Sequence, residues 1–503
     1  MSYPATTLSA FNWEWTMRIR STALLITSIW GLAACGSATK PIDPPFILPP
    51  AAAQKSVILF LGDGYGMVPM TAARIYAVGE DGELTIDQFP ETAFIKTFSN
   101  DAQVTDSAPS MGAYMTGVKA NNEVIASSTD TKAVDPTGAP YYSGADSTCP
   151  ATGNGTAVTT LLELAKAAGR GTAVVTTTRV THATPAATYA HVCHRDGENT
   201  IAAQLVPGGA GYNTALGGDG VDVVLGGGWQ HFLPKGAATG SSRSDSRDLT
   251  AELTAKGYSY ITDKAGLDAV PASTSKLLGL FTKSHMNFDL DRDPAKEPSL
   301  TDMATKALGI VSKNPKGYFM MVEGGRIDQA LHPTLARKAL QDAKAFDDAI
   351  KATIAQVRLT DPTLANTLIV VTADHDHTMV MNGYAALTGK TTDTNPGILG
   401  LMRAFTDPTQ PAKDIDGKPY TTLVFGNGEN RVQANRGTTV DLTDALVYDK
   451  NYHQEAAVRM PAGAETHGGA DVFLGAMGLG ADTFHGTLDN TQVFTLMKSA
   501  AGL

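Results

Sequence analysis

Val57-Ile58-Leu59-Phe60-Leu61 runs directly into Gly62-Asp63-Gly64, and this junction decides the fold. A short, unbroken apolar run ended by glycine predicts a strand buried on both faces, as in a parallel sheet. The same grammar returns at Thr172–Thr176, Asp222–Leu225, Tyr318–Val322 and Leu368–Thr372. Helical patterns lie between these runs, at Leu161–Lys166 and Ala336–Val357. Alternating strands and helices predict the α/β class, a sandwich around a mostly parallel sheet. Ligands of open α/β sheets collect at the carboxyl ends of strands, and Asp63, Glu323 and Asp374 are each expected to follow one. Residues 378–466 are rich in Gly, Asn, Asp and Thr and break the pattern. They read as a loop-rich insertion over the site rather than as a separate domain.

The chain has 503 residues, 43% of them hydrophobic, enough for a large core. A net charge of −11 argues against nucleic acid as a partner, because backbone phosphates reward clustered Lys and Arg. Arg18 and Arg20 precede the apolar run Leu24–Trp30 and then Gly31-Leu32-Ala33-Ala34-Cys35. Basic, apolar and small residues in that order predict a secretory signal over 1–35, with Met17 as an alternative start. The ending resembles a bacterial lipoprotein signal, which would make Cys35 the lipidated mature N-terminus. An ordinary signal with a chance cysteine is the other reading. The expected location is the periplasm or cell envelope, with membrane contact through that lipid only. Residues 36–54, with Pro41, Pro44, Pro45, Pro49 and Pro50, predict an extended tether before the main domain at 55–503. No later stretch is apolar for the ~20 residues of a membrane span. Export would place Cys149 and Cys193 in an oxidising compartment, where they could form a disulfide or remain two buried thiols.

Three segments carry metal-ligand residues. Asp328 and His332 share one face if the chain is helical after Ile327. Thr372-Ala373-Asp374-His375-Asp376-His377 packs acid and imidazole into one loop after a buried strand. Glu465-Thr466-His467-Gly468-Gly469 adds a histidine between a polar loop and glycines. Together they predict a multinuclear site of His and carboxylate ligands, the set that suits zinc. Ser107, in Val104-Thr105-Asp106-Ser107-Ala108-Pro109-Ser110, is placed to start a helix whose unpaired N–H groups favour a bound phosphate. It reads equally as a nucleophile or as a plain N-cap.

These motifs, together with Arg179–His191, resemble the alkaline phosphatase family in order and spacing from about residue 54 to the C-terminus. The resemblance implies the family's three-layer sandwich and hydrolysis of small phosphate monoesters through a phosphoserine. It implies that Asp328, His332 and His467 bind one zinc ion and Asp63, Asp374 and His375 a second. Asp63, Thr184 and Glu323 would bind a third ion, magnesium. Ser107 would attack phosphorus, Arg195 would bind two phosphate oxygens, and His377 would orient Asp328. A homodimer is common among relatives. His182 stands where members carry Asp or His, which leaves the identity of the third ion open. Gln329 replaces a common Lys or His and implies weaker binding of product phosphate. Thr282 replaces an acid of a calcium site found in some relatives, so no such ion is expected, and Asp289, Asp291 and Asp293 read as solvated charges. Met111 replaces the Arg that the sulfatase motif needs for conversion of its nucleophile to formylglycine. The rivals are a phosphodiesterase or sulfatase of the same superfamily, and a non-catalytic periplasmic protein binding metal or phosphate.

Overall fold

β1 (Ser56–Gly62) is the strand expected at Val57–Leu61, and all seven of its residues are buried. The structure, a computed structural model, describes residues 54–503 apart from 238–239, 432–435 and 437–438. The signal segment with Cys35, and the tether up to residue 53, lie outside the described residues.

The other strands of the central sheet are β2 (Glu91–Lys96), β3 (Gly171–Arg179), β4 (Val223–Gly227), β5 (Ser259–Ile261) and β6 (Leu277–Leu280). After them come β7 (Tyr318–Gly324), β8 (Thr367–Ala373), β9 (Val472–Gly478) and β10 (Gly486–Asp489). The ten strands lie in the order β10-β2-β9-β8-β1-β7-β3-β4-β6-β5. All neighbours are parallel except β9, which runs antiparallel to both β8 and β2. The predicted runs are the middle of this sheet, β8-β1-β7-β3-β4.

Helices Met67–Val78, Leu300–Val311 and Ala336–Val357 pack together on one side, and Ser107–Thr116, Leu161–Ala167 and Asn490–Ala501 on the other. Phe60 of β1 meets Phe346 edge-on at 6.1 Å between ring centroids, joining sheet to helix with the geometry aromatic pairs prefer.

Register aligns the carboxyl ends of the central strands. Gly62 sits opposite both Ala373 and Gly324, so Asp63 and Asp374 leave the sheet side by side. Glu323 does not follow its strand as expected. It is the penultimate residue of β7, paired across to Thr176, and its side chain rises from the sheet itself.

The segment 378–466 carries a small sheet of Met379–Met381, Leu423–Gly428 and Ala456–Arg459, and a short helix at Asp444–Tyr448. Thr388 and Gly389 donate backbone N–H groups to Glu80, and Arg337 stacks 3.8 Å from the Tyr448 ring centroid. The insertion is thus anchored to helices Met67–Val78 and Ala336–Val357. Asp289 and Asp291 are not free solvated charges. Asp289 pairs with Arg292, and Asp291 with Lys338 and Lys450. Cys149 and Cys193 are joined as a disulfide, Cα–Cα 5.8 Å.

Candidate active site and metal centres

Ser107 is the first residue of helix Ser107–Thr116, and Asp106 is its cap, accepting from Ala108 N at 2.7 Å. The N-cap reading of Ser107 therefore passes to its neighbour. Pro109 falls in the first turn, where no amide donor is needed. The Ser107 hydroxyl is 3.3 Å from Asp63 Oδ1 and 3.2 Å from His375 Nε2, facing the ends of β1 and β8.

Three groups of ligand-type atoms converge around this hydroxyl: Asp328, His332, His377 and His467; Asp63, Asp374 and His375; and Asp63, His182 and Glu323. In the first, His332 Nδ1 donates to the Glu465 carbonyl at 2.6 Å and His467 Nδ1 to the Thr105 carbonyl at 2.7 Å. A carbonyl only accepts, so these bonds fix the tautomers and leave the Nε2 lone pairs inward. The two Nε2 atoms face each other at 3.4 Å and lie 3.3 and 3.5 Å from Asp328 Oδ1. Converging lone pairs and a carboxylate repel one another unless a cation lies among them.

The second group repeats the design. His375 Nδ1 donates to the Asp376 carbonyl at 3.2 Å, and its Nε2 lies 3.3 Å from Asp63 Oδ1 and 3.4 Å from Asp374 Oδ2. Asp374 Oδ1 is held by the N–H groups of Gly64 and His375, while Oδ2 is buried without a hydrogen-bond partner among the described residues. Gly64 has φ +66°, and a Cβ there would lie 2.5 Å from His377 Cδ2, so the turn requires glycine.

In the third group Thr184 Oγ1 donates to Asp63 Oδ2 at 3.4 Å. Thr176 and Thr178 hydroxyls bond Glu323 Oε2, leaving Glu323 Oε1 and His182 Nδ1 buried without partners among the described residues. Burial and the neighbouring Asp328 raise Asp63 to about 7, and burial and Asp63 raise Asp374 to about 7. Burial and Asp63 raise Glu323 well above the usual carboxylate range. Burial lowers His375, drives His467 down to about 4, and with Arg195 keeps His182 neutral. In the second and third groups, crowded carboxyls and neutral imidazoles with orphaned atoms fit bound divalent cations, which would let the acids ionise together. In the first group burial is outweighed by pairing: His332 holds Asp328 well below its usual range, Asp328 raises His332, and a cation there would take the place of the imidazole proton.

His377 sits behind the first group. Its Nε2 is 2.8 Å from Asp328 Oδ1 and its Nδ1 2.6 Å from Glu465 Oε2. Burial opposes its charge, but Glu465 and Asp328 prevail and raise it to about 10. Arg195 Nη1 donates to Asp106 Oδ1 at 3.0 Å and Nη2 to His182 Nε2 at 3.1 Å. Its backbone N–H reaches the Glu123 carbonyl at 2.8 Å. Gln329 bonds Arg326 and the ring of His285 and touches none of the ligand groups directly. The structure thus brings together Asp63, Ser107, Thr184, Arg195, Glu323, Asp328, His332, Asp374, His375 and His467, with His182 and His377 among them. Asp106, Glu465 and His285 carry no role in the sequence alone, though Asp106 lies in the segment around Ser107 and Glu465 in the one around His467.

Acid and imidazole groups around a serine at a helix start, on the carboxyl edge of a parallel sheet, define a metal-binding hydrolase site of α/β type. A family model described as alkaline phosphatase matches residues 54–503. The alkaline phosphatase of Gadus morhua is 34% identical over 472 residues, covering 89% of this chain and 91% of that one. The tissue-nonspecific isozyme of Homo sapiens is 35% identical, covering 89% of this chain and 83% of its own length. Among solved structures, Thermus thermophilus alkaline phosphatase aligns with a TM-score of 0.62 at 25% identity, covering 91% of this chain and 96% of that one. The chain belongs to the alkaline phosphatase family, and its reaction is the hydrolysis of phosphate monoesters.

Proposed function

We propose that monoester hydrolysis proceeds here through covalent attack of Ser107 on phosphorus. In this reading Asp328, His332 and His467 hold one zinc ion, and Asp63, Asp374 and His375 a second. Asp63, Thr184 and Glu323 hold magnesium. His182 lies in the same group as Asp63 and Glu323, but its one lone pair accepts from Arg195 Nη2; only by giving up that bond would it join the third ion, and a mixed N and O set would then admit zinc there as well. The observation that carries the reading is the Ser107 hydroxyl, 3.2 Å from His375 Nε2 and 3.3 Å from Asp63 Oδ1, beside both buried ligand groups.

Bound cations would supply a lowered pKa for the attacking hydroxyl and charge stabilisation for the departing oxygen. Ser107 Oγ gives its proton to solvent water and forms a P–O bond as the bond from phosphorus to the ester oxygen breaks, and the departing oxygen takes up a proton from solvent and leaves as the alcohol. Water then attacks the phosphoserine, releasing inorganic phosphate and restoring the hydroxyl. Arg195, steadied by Asp106, offers a planar fork to two phosphate oxygens. Side chains of His332 and His467 are 31% and 14% exposed, whereas His375, Asp63 and Asp374 are fully buried. Leaving groups of varied size therefore extend past His332 toward solvent. Arg195 together with the third ligand group favours monoesters over diesters, since it engages oxygens that a diester would carry as esters.

The test is Ser107→Ala assayed with p-nitrophenyl phosphate, its bis-ester and the sulfate. A loss of about 10³-fold or more in kcat for the monoester, with no acid-trapped phosphoserine, is expected. Wild-type turnover by Ser107→Ala would overturn the covalent route. The Leu-Ala-Ala-Cys ending supports lipidation at Cys35 and an envelope location. Mass spectrometry of the mature N-terminus reads that directly, and an unmodified Cys35 would refute it.

A further inference from the structure

We propose that Glu465 is a positioning residue that sets two ligands of the first metal group at once, through its side chain and through its main chain. This rests on the reading that Asp328, His332 and His467 hold a metal ion.

The side chain of Glu465 is fully buried. Its Oε2 receives His377 Nδ1 at 2.6 Å, and the far nitrogen of that ring reaches Asp328 Oδ1 at 2.8 Å. Its Oε1 receives Thr378 N at 2.8 Å and also the Thr378 hydroxyl at 2.5 Å. The Glu465 carbonyl receives His332 Nδ1 at 2.6 Å, and the Glu465 N–H donates to the His332 carbonyl at 3.1 Å. Two residues further on, His467 pairs with His377 across the short ribbon of Asp376–His377 and His467–Gly468. One residue thus clamps His332 from behind and steadies Asp328 through His377.

The chemistry demands a carboxylate. Three donors meet the Glu465 side chain: His377 Nδ1–H, Thr378 N–H and Thr378 O–H. A carboxylate accepts from all of them. An amide offers one acceptor oxygen and turns its NH2 against a donor. Glu465→Gln therefore loses the bonds to Thr378, or keeps them only by reversing the bond to His377, whose Nδ1 must then accept from the amide and leave a single, uncharged N–H for Asp328. Groups that orient metal ligands in this way typically change affinity by about 10–100-fold when removed.

The experiment uses the full chain, stripped with chelator and checked by circular dichroism. It is titrated with zinc against a competing chelator as wild type, Asp328→Ala, Glu465→Gln and Glu465→Asp. Wild type should take up its ions tightly and Asp328→Ala should lose one of them. Glu465→Gln should weaken one ion by about 10–100-fold and leave the others within about threefold. Excess zinc should then restore most of its kcat toward p-nitrophenyl phosphate, which a damaged core would not allow. Glu465→Asp, which keeps the charge but shortens the reach, should weaken the same ion, and it decides the question if the Gln variant misfolds. Zinc uptake by both Glu465 variants within threefold of wild type, while Asp328→Ala loses an ion, overturns the role of Glu465. Equal uptake by Asp328→Ala and wild type overturns the metal reading beneath it.

Discussion

Gln329 lies next to Asp328, yet its amide is spent on Arg326 and on the His285 ring, 2.9 and 3.0 Å from the two ring nitrogens. Arg179 bonds the same imidazole, and burial with these guanidinium charges holds His285 well below its usual pKa. This flank is thus already cationic, and its one neutral polar bridge can be exchanged without touching a ligand. Gln329→Lys should lower the inhibition constant for inorganic phosphate by up to about tenfold. That equals ~1.4 kcal/mol, within what one added charge a few ångströms from the anion supplies at an effective dielectric of ~20. Competitive inhibition of p-nitrophenyl phosphate hydrolysis measures it, and an unchanged constant would exclude any contact between residue 329 and phosphate. The ligands were legible because acid and imidazole cluster within a few residues in each motif. Glu465 was not, because its partner His377 is 88 positions away and meets it only once the ribbon at Asp376–His377 closes. His285 stood in a segment read only for acids.

Elements were legible in proportion to their burial. β1, β3, β4, β7 and β8 are covered on both faces and read as continuous apolar runs, and helix Ala336–Val357 has the bounds its period predicts. β2 escaped notice because it lies toward the sheet edge and alternates, with Phe94 half exposed. β9 is interrupted by glycine at Gly475, which packs against Phe89. The Cys149–Cys193 link joins a polar loop to the segment that carries Arg195 two residues later, and it closes a separation of 44 residues. Chain entropy predicts that such a loop is worth at most about 4 kcal/mol. With an unfolding entropy of ~2 cal/mol/K per residue, that is a melting shift of about 4 °C for a chain of this size. The double variant Cys149→Ser, Cys193→Ser should melt lower by up to that amount. Its KM should rise more than its kcat falls, because Arg195 loses a tether and Ser107 does not. Calorimetry and steady-state kinetics on one preparation separate these effects, and a fall in kcat alone would count against the link to Arg195.

At the level of the whole molecule, what the sequence left open is the pairing order of the strands. β1 lies between β7 and β8, more than 250 positions downstream, and no local pattern encodes contacts of that range. The same topology makes the site a keystone. Its ligands come from the ends of β1, β7 and β8, from the turn after β3, from helix Arg326–Leu331 and its C-cap, and from the loop after the insertion. Asp63, Glu323 and Asp374 are each buried beside like charges, an arrangement that opposes folding unless cations balance it. Metal binding and folding should therefore be linked, since a ligand that binds only the native state stabilises by mass action. At free ion concentrations ~1,000 times Kd, one ion contributes about 4 kcal/mol. That corresponds to about 4 °C of melting temperature per ion at this chain length. Prolonged chelation should abolish monoesterase activity and lower the melting temperature by about 10 °C if all three ligand groups bind. Zinc and magnesium added back should restore both, and adding each ion alone will show which group it stabilises. Unchanged melting after chelation, with metal analysis confirming removal, would mean that the carboxylates are balanced by protons or neighbouring cations instead.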